Sequence, residues 1–191
     1  MLRRHPGATI LHNLICSRAV PEVIAEHGGH AVRTKVGHSY IKQVMAETGA
    51  VFGGEHSAHY YFRENFRADS GIIASVLVMA ELSRAEVPMS VLRKPFERYA
   101  ASGEINTAVD DTAAAIERVA RIYEKFPSDR VDGLSVDCGS WWFNLRPSNT
   151  EPLLRLNLEA ADRAACDART EEVLAVVRGA SGVPDGLRVL L

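Results

Sequence analysis

Apolar and polar residues along the first half of the chain switch between the period of a strand and that of a helix. Residues 8–14 (ATILHNL) form an apolar run of strand length, and residues 18–26 follow with helical spacing before a Gly28-Gly29 stop. Residues 30–35 supply a second strand, 38–48 a second helix ended by Gly49, and 50–53 (AVFG) a short third strand. Two strand–helix–strand units in succession predict an α/β domain with a mostly parallel mixed sheet. A further helix is expected over residues 70–84, capped by Asp69 or Ser70. Its Ile72, Ile73, Val76, Leu77, Val78 and Met79 cover more than one face, so burial by neighbours on two sides is expected.

Pro88 and Pro95 punctuate a connecting region, and residues 99–106 (YAASGEIN) read as a linker or an edge strand. Beyond it the rhythm changes. Val109, Ala113, Ile116, Val119, Ala120 and Tyr123 recur at helical spacing, with Asp110 and Asp111 at the start and Lys125 at the end. Residues 131–137 and 141–145 flank a Cys138-Gly139 turn as a hairpin. Leu154, Leu156 and Leu158 alternate with Arg155, Asn157 and Glu159 as a half-buried strand, and Val173, Leu174, Val176 and Val177 lie on a closing helix. This pattern predicts a small α+β domain, an antiparallel sheet with helices on one face. The expected division is residues 1–95, a linker over 96–108, and residues 109–191.

Composition adds exclusions. The 191 residues are 47% apolar and 24% charged, the profile of an ordinary globular protein. A formal charge of -2 offers no basic field for nucleic acid. The most apolar window, residues 72–80, is too short to span a bilayer, so no membrane partner is expected. MLRRH is basic, but no apolar segment follows it as in a secretory signal. Three widely spaced cysteines argue against a disulfide framework, and a reducing cytoplasm is expected.

Three stretches carry chemistry. In RPSNTEPLLR, residues 146–155, a polar turn follows a strand. Its backbone amides, the hydroxyls and amide of Ser148, Asn149 and Thr150, and the planar fork of Arg146 suit phosphate oxygens. Spacing alone favours a plain hairpin turn with a solvated arginine, because Ser-Asn-Thr turns are common. In GEHSAH, residues 54–59, Glu55 can accept from two hydroxyls while Ser57 and His59 donate or accept, which suits a sugar. The order E-H-S-A-H differs from the zinc pattern H-E-x-x-H, and no metal ligand set is expected. A Ser57–His59 nucleophile pair lacks the glycine pattern of a nucleophile elbow. In KVGHSYIK, residues 35–42, Gly37 separates strand from helix, and His38 or Ser39 could cap the helix.

Together, and in this order, GEHSAH, RPSNTEP, KVGHSYIK, HYYFRENFRADSG and SGEIN resemble the α-D-phosphohexomutases, of the bacterial phosphomannomutase/phosphoglucomutase type. The likeness covers nearly the whole chain and corresponds to the third and fourth domains of a four-domain enzyme. It implies an isomerase of carbohydrate metabolism that interconverts hexose 6-phosphate and hexose 1-phosphate, mannose or glucose, through hexose 1,6-bisphosphate. Phosphoryl transfer of this kind relies on positioning and charge stabilisation. By the resemblance, Glu55 and Ser57 bind sugar hydroxyls, His59 supports that loop or touches substrate, and His38 lines the cleft as a candidate for proton transfer. Arg146, Ser148, Asn149 and Thr150 hold the phosphate that is not reacting, with Arg155 assisting. Ala58 stands where the family usually has glycine and His56 where it has methionine. The family's phosphoserine loop and its aspartate loop for Mg2+ have no counterpart in the sequence. Turnover is therefore expected to need the missing N-terminal domains, in cis or in trans. The alternative is a non-catalytic sugar-phosphate-binding or interaction module left by gene truncation.

Overall fold

The computed structural model describes residues 1–148 and 151–179. It divides into two compact units, Met1–Arg98 and Tyr99–Leu191.

The first unit is built on strand β1 (Thr9–Asn13), helix α1 (Ala19–Glu26), β2 (His30–Thr34), α2 (His38–Thr48), β3 (Phe52–Gly54), β4 (Tyr60–Phe62) and β5 (Ala68–Asp69). Its sheet runs β2-β1-β3-β4-β5, with β1 parallel to β2 and β3, and β4 and β5 joined antiparallel. This is the expected mixed sheet, with two parallel and two antiparallel pairings. Successive side chains of a strand point to opposite faces. Leu11 accordingly packs with Ile41 and Met45 of α2, while Ile10 packs with Ile24 of α1. Helix α2 starts differently from expectation: Gly37, at φ 128°, is its N-cap, and neither His38 nor Ser39 makes a side-chain cap. Gly49 ends it in the left-handed region at φ 68°, as a glycine stop should.

Helix α3 (Gly71–Ala85) is capped by Ser70, whose Oγ accepts from the Ile73 amide at 3.2 Å. The expectation that it is buried on two sides is overturned. None of its residues is buried, and Ile72, Val76, Val78 and Met79 are exposed. Only its inner edge approaches the sheet: Ile73 and Leu77 share a cavity of about 180 Å³ with Val51, Phe62 and the N-terminal turn. Arg3 also pairs with Glu81 of this helix. A short helix α4 (Met89–Leu92) follows. Arg98 closes the unit by bonding Glu26 of α1 through both terminal nitrogens, each at 2.6 Å.

The second unit comprises β6 (Ala100–Ala108), α5 (Thr112–Ile122), β7 (Ser128–Asp129), β8 (Leu134–Asp137), β9 (Trp141–Pro147), β10 (Leu153–Ala160) and α6 (Arg163–Val177). Its antiparallel sheet runs β6-β10-β9-β8-β7. The stretch that could have been a linker forms edge strand β6, paired along its length with β10. Asp111 and Asp162 cap α5 and α6 by accepting from Ala114 and Ala165 amides at 2.9 and 2.8 Å. Leu154, Leu156 and Leu158 of β10 enter one core with Val119 of α5 and Val173 of α6. Tyr123 anchors that core, packing edge-on to Trp141 and Phe143 while its hydroxyl donates to buried Glu172 at 2.8 Å. The strand expected from residue 131 begins only at Leu134, because Gly133 at φ 71° turns the chain just before it.

Gly133 also sets a tolerance limit. A Cβ there would meet Leu145 O at 2.4 Å and Arg146 Cα at 2.7 Å, both backbone atoms of β9. Gly133→Ala adds left-handed strain to that clash and should cost about 2–4 kcal/mol of the second unit's stability, read from urea unfolding followed by tryptophan fluorescence.

Candidate functional site

In the first unit, the site residues gather at the carboxyl ends of β1 and β3, where α/β sheets usually present ligand-binding loops. Glu55 immediately follows β3 and is buried. Its Oε1 accepts from the Gly37 amide at 2.9 Å and from Asn13 Nδ2 at 3.5 Å, and its Oε2 accepts from the Tyr61 hydroxyl at 2.7 Å. One carboxylate thus joins the end of β1, the start of α2 and strand β4. The Tyr61 phenol is held well above its ordinary pKa, first by burial and then by the Glu55 carboxylate, so it stays a donor. Asn13, fully buried, extends the junction: its Oδ1 accepts from the Cys16 thiol at 3.1 Å and from the His56 amide at 3.4 Å.

On this base stands an exposed turn. Glu55 N donates to His59 O at 2.9 Å and Ala58 N to Glu55 O at 3.0 Å. Ala58 takes φ 64°, the left-handed conformation that glycine adopts without cost. Ser57 Oγ lies 3.0 Å from His59 Nδ1, and both side chains are exposed. No carboxylate bonds the other His59 nitrogen among the described residues, so a nucleophile–base–acid relay is not assembled there. His38 is exposed beside Gly37, whose amide Glu55 holds, so the KVGH and GEHSAH stretches are tied together. A cleft of about 470 Å³ opens beside the turn between α1 and the sheet. Glu55 and His56 border it, but Val20, Val23, Ile24, Phe52 and Phe96 make it largely apolar. His12, Ser17 and Tyr60 add polar groups to its lining, while Ser57 and His59 of the turn lie outside it.

In the second unit, Arg146 and Arg155 are direct cross-strand partners on β9 and β10 and so share a face of the sheet, the one opposite Leu154 and Leu156. Arg155 thereby joins Arg146. Like charges placed directly opposite repel, and Glu104 of β6 relieves this: its Oε2 lies 2.9 Å from Arg146 Nη2 and its Oε1 3.3 Å from Arg155 Nη1. Arg155 Nη2 donates to Ser148 Oγ at 3.4 Å. Asn149 and Thr150 lie outside the described residues. Among the described residues no group of three or more His, Cys, Asp or Glu could hold a metal ion, so nothing there fits a magnesium ion. No described helix is long and apolar enough to cross a membrane.

The chain is thus an α/β unit with an acid–hydroxyl turn, followed by an antiparallel unit with paired arginines. Residues 1–99 match the family model "Phosphoglucomutase/phosphomannomutase, alpha/beta/alpha domain III", and residues 104–176 match its C-terminal domain. The chain belongs to the phosphoglucomutase/phosphomannomutase family. The phosphomannomutase of Methanocaldococcus jannaschii is 40% identical over 173 residues, covering 91% of this chain and 38% of that protein. The phosphohexose mutases of Xanthomonas campestris pv. campestris are 42% identical over 94% of this chain and 41% of theirs. A crystal structure of a family protein from Burkholderia thailandensis superposes with a TM-score of 0.79 at 26% identity, covering 96% of this chain and 40% of that one. The Aspergillus fumigatus N-acetylphosphoglucosamine mutase, solved with GlcNAc-6P and magnesium, shares the fold at a TM-score of 0.67 and 14% identity, over 92% of this chain and 39% of that one. The chain spans about two-fifths of the length of these relatives.

Sequence reading missed Asn13, Tyr61 and Glu104. Asn13 had one visible signal, an amide ending an apolar strand, and the second aromatic of HYYF had another. Glu104 had none, because its partners lie 42 and 51 positions away in sequence.

Tyr61→Phe deletes the hydroxyl that supports buried Glu55 and should lower stability by about 2 kcal/mol in urea unfolding. His12, at the end of β1, provides a pH test. Burial lowers its pKa from the ordinary 6.5, against the smaller raising effect of its bond to the Asn13 carbonyl. The unfolded chain therefore protonates first as pH falls, so stability is full above 6.5 and declines as pH drops through that value toward the folded pKa. Urea midpoints across this range should fall less steeply for His12→Gln than for the wild type.

Proposed function

We propose that this chain is the sugar-phosphate-recognition half of a phosphohexomutase that interconverts hexose 6-phosphate and hexose 1-phosphate. The observation that carries the reading is the pairing of Arg146 with Arg155 on one sheet face beside Ser148. Two guanidinium groups so arranged match the oxygens of a phosphate monoester. The exposed Ser57–His59 turn offers hydroxyl-scale donors and acceptors for a sugar ring, and family membership supplies the substrate class. Glu55 acts here by shaping the turn. Three of the roughly four lone-pair sites of its carboxylate already accept from protein groups, leaving about one for a sugar hydroxyl. Asn149 and Thr150 complete the phosphate loop in this proposal, and His38 stands beside the sugar turn as a proton-transfer helper.

In this reading the chain binds and orients substrate, while the phosphoryl-donating serine and the Mg2+ ligands belong to domains carried elsewhere in the full-length relatives. Mannose or glucose phosphate and those domains are the partners, and hexose 1,6-bisphosphate is the activator. Cytoplasmic metabolism is the setting.

Calorimetric titration of mannose 1-phosphate is the test. The wild-type chain should bind, and Arg146→Ala should weaken binding about tenfold or more, the worth of a charged hydrogen bond. Equal affinities would remove the phosphate reading. A mutase assay with hexose 1,6-bisphosphate should give no turnover from the chain alone; turnover would overturn the division of labour.

A further inference from the structure

The second unit assigns a role to a residue that takes no part in the phosphate loop. Strand β10 lies between β6 and β9, with Asn106 opposite Arg155 and Glu104 opposite Asn157. Glu104 therefore shares the face of the two arginines, one diagonal step from Arg155. Its two carboxylate oxygens are divided, one to each guanidinium. The Arg146 side chain is 9% exposed, and those of Arg155 and Glu104 are each 29% exposed, so long side chains are held in a confined space. In both arginines the Nε donor is buried without a protein partner. Asn157 Nδ2 is a third such donor, and the equally unpartnered acceptor Asn144 Oδ1 lies directly across the strands from it on the same face. Four of the five such atoms in the described residues thus fall within one block of neighbouring positions. Buried polar atoms without partners are rare, and a cluster of them beside a shared ion pair calls for an explanation.

We propose that Glu104 is the positioning residue of the anion clamp, fixing both guanidinium planes by one terminal nitrogen each before an oxyanion arrives. This rests on the phosphate reading above and deepens it. A guanidinium is a planar fork whose recognition depends on orientation as well as charge. Holding two forks before the ligand arrives avoids the ordering cost at the moment of binding. The carboxylate also opposes an anion electrostatically, so the two roles predict opposite signs on its removal. A positioning residue strengthens binding; a mere counter-ion weakens it.

Inorganic phosphate is the probe, titrated into wild type, Glu104→Gln, Glu104→Ala and Arg146→Ala by calorimetry. Positioning predicts affinity falling from wild type to Glu104→Gln, which keeps one acceptor oxygen, and falling further, roughly tenfold in all, in Glu104→Ala. Nitrogen-15 spectra of the arginine Nε–H groups give a second readout. The Arg146 and Arg155 signals should be distinct and slowly exchanging in wild type and should collapse toward the solvent-exposed position in Glu104→Ala. Affinity that rises in both Glu104 variants makes Glu104 only a counter-ion and overturns the inference, as does unchanged affinity. If Arg146→Ala loses phosphate while the Glu104 variants keep it, the inference alone fails. If wild type and Arg146→Ala behave identically, the phosphate reading fails and the inference falls with it. Should Glu104→Ala not fold, Glu104→Gln decides by the sign of its shift.

Discussion

The carboxylate of Glu55 is the constraint on which the first unit's polar end depends. A buried charge must be met by donors, and here they come from three separate elements: Asn13 at the end of β1, the Gly37 amide before α2, and Tyr61 in β4. The requirement to satisfy one anion therefore sets where three chain segments meet. The 55–59 turn inherits its position from that junction. Its second anchor, the Asn13 side-chain oxygen, reaches the His56 amide and so holds the next residue as well. A ligand meeting Ser57 and His59 meets groups whose backbone is already fixed.

The second unit solves a related problem with the opposite charge. Alternation along β10 sends Leu154, Leu156 and Leu158 into the helix-covered core and Arg155, Asn157 and Glu159 to the other face. That other face is also substantially buried, so its polar groups need partners: Trp142 donates to Glu159, and Asn144 donates to Ser135 and to the Asp132 carbonyl. The arginine pair keeps two buried Nε donors without a protein partner, and Arg155 reaches Ser148.

Much of this architecture was legible in the sequence. The period-two leucines of β10, the helical spacing of α5 and the glycine stop of α2 each express backbone geometry directly, and each appears where the pattern put it. The short strands β4, β5 and β7 were not legible, because two or three residues carry no period. Helix α3 misled for a physical reason. An apolar residue shows that burial would be favourable, but not that a neighbour exists to provide it. The site was legible as residue types, since the serine, histidine and arginines announce their chemistry. The supports were not, because Asn13–Glu55 and Glu104–Arg146 are long-range pairs that only the folded chain brings together.

Helix α3 has a wider consequence. Its outward residues Ile72, Val76, Val78 and Met79 leave about half or more of their surface open to solvent. An exposed apolar surface of this kind bears more on association between molecules than on the packing of either core. Polar residues at these positions would alter how the surface associates while leaving the clusters around Leu11 and Tyr123 untouched.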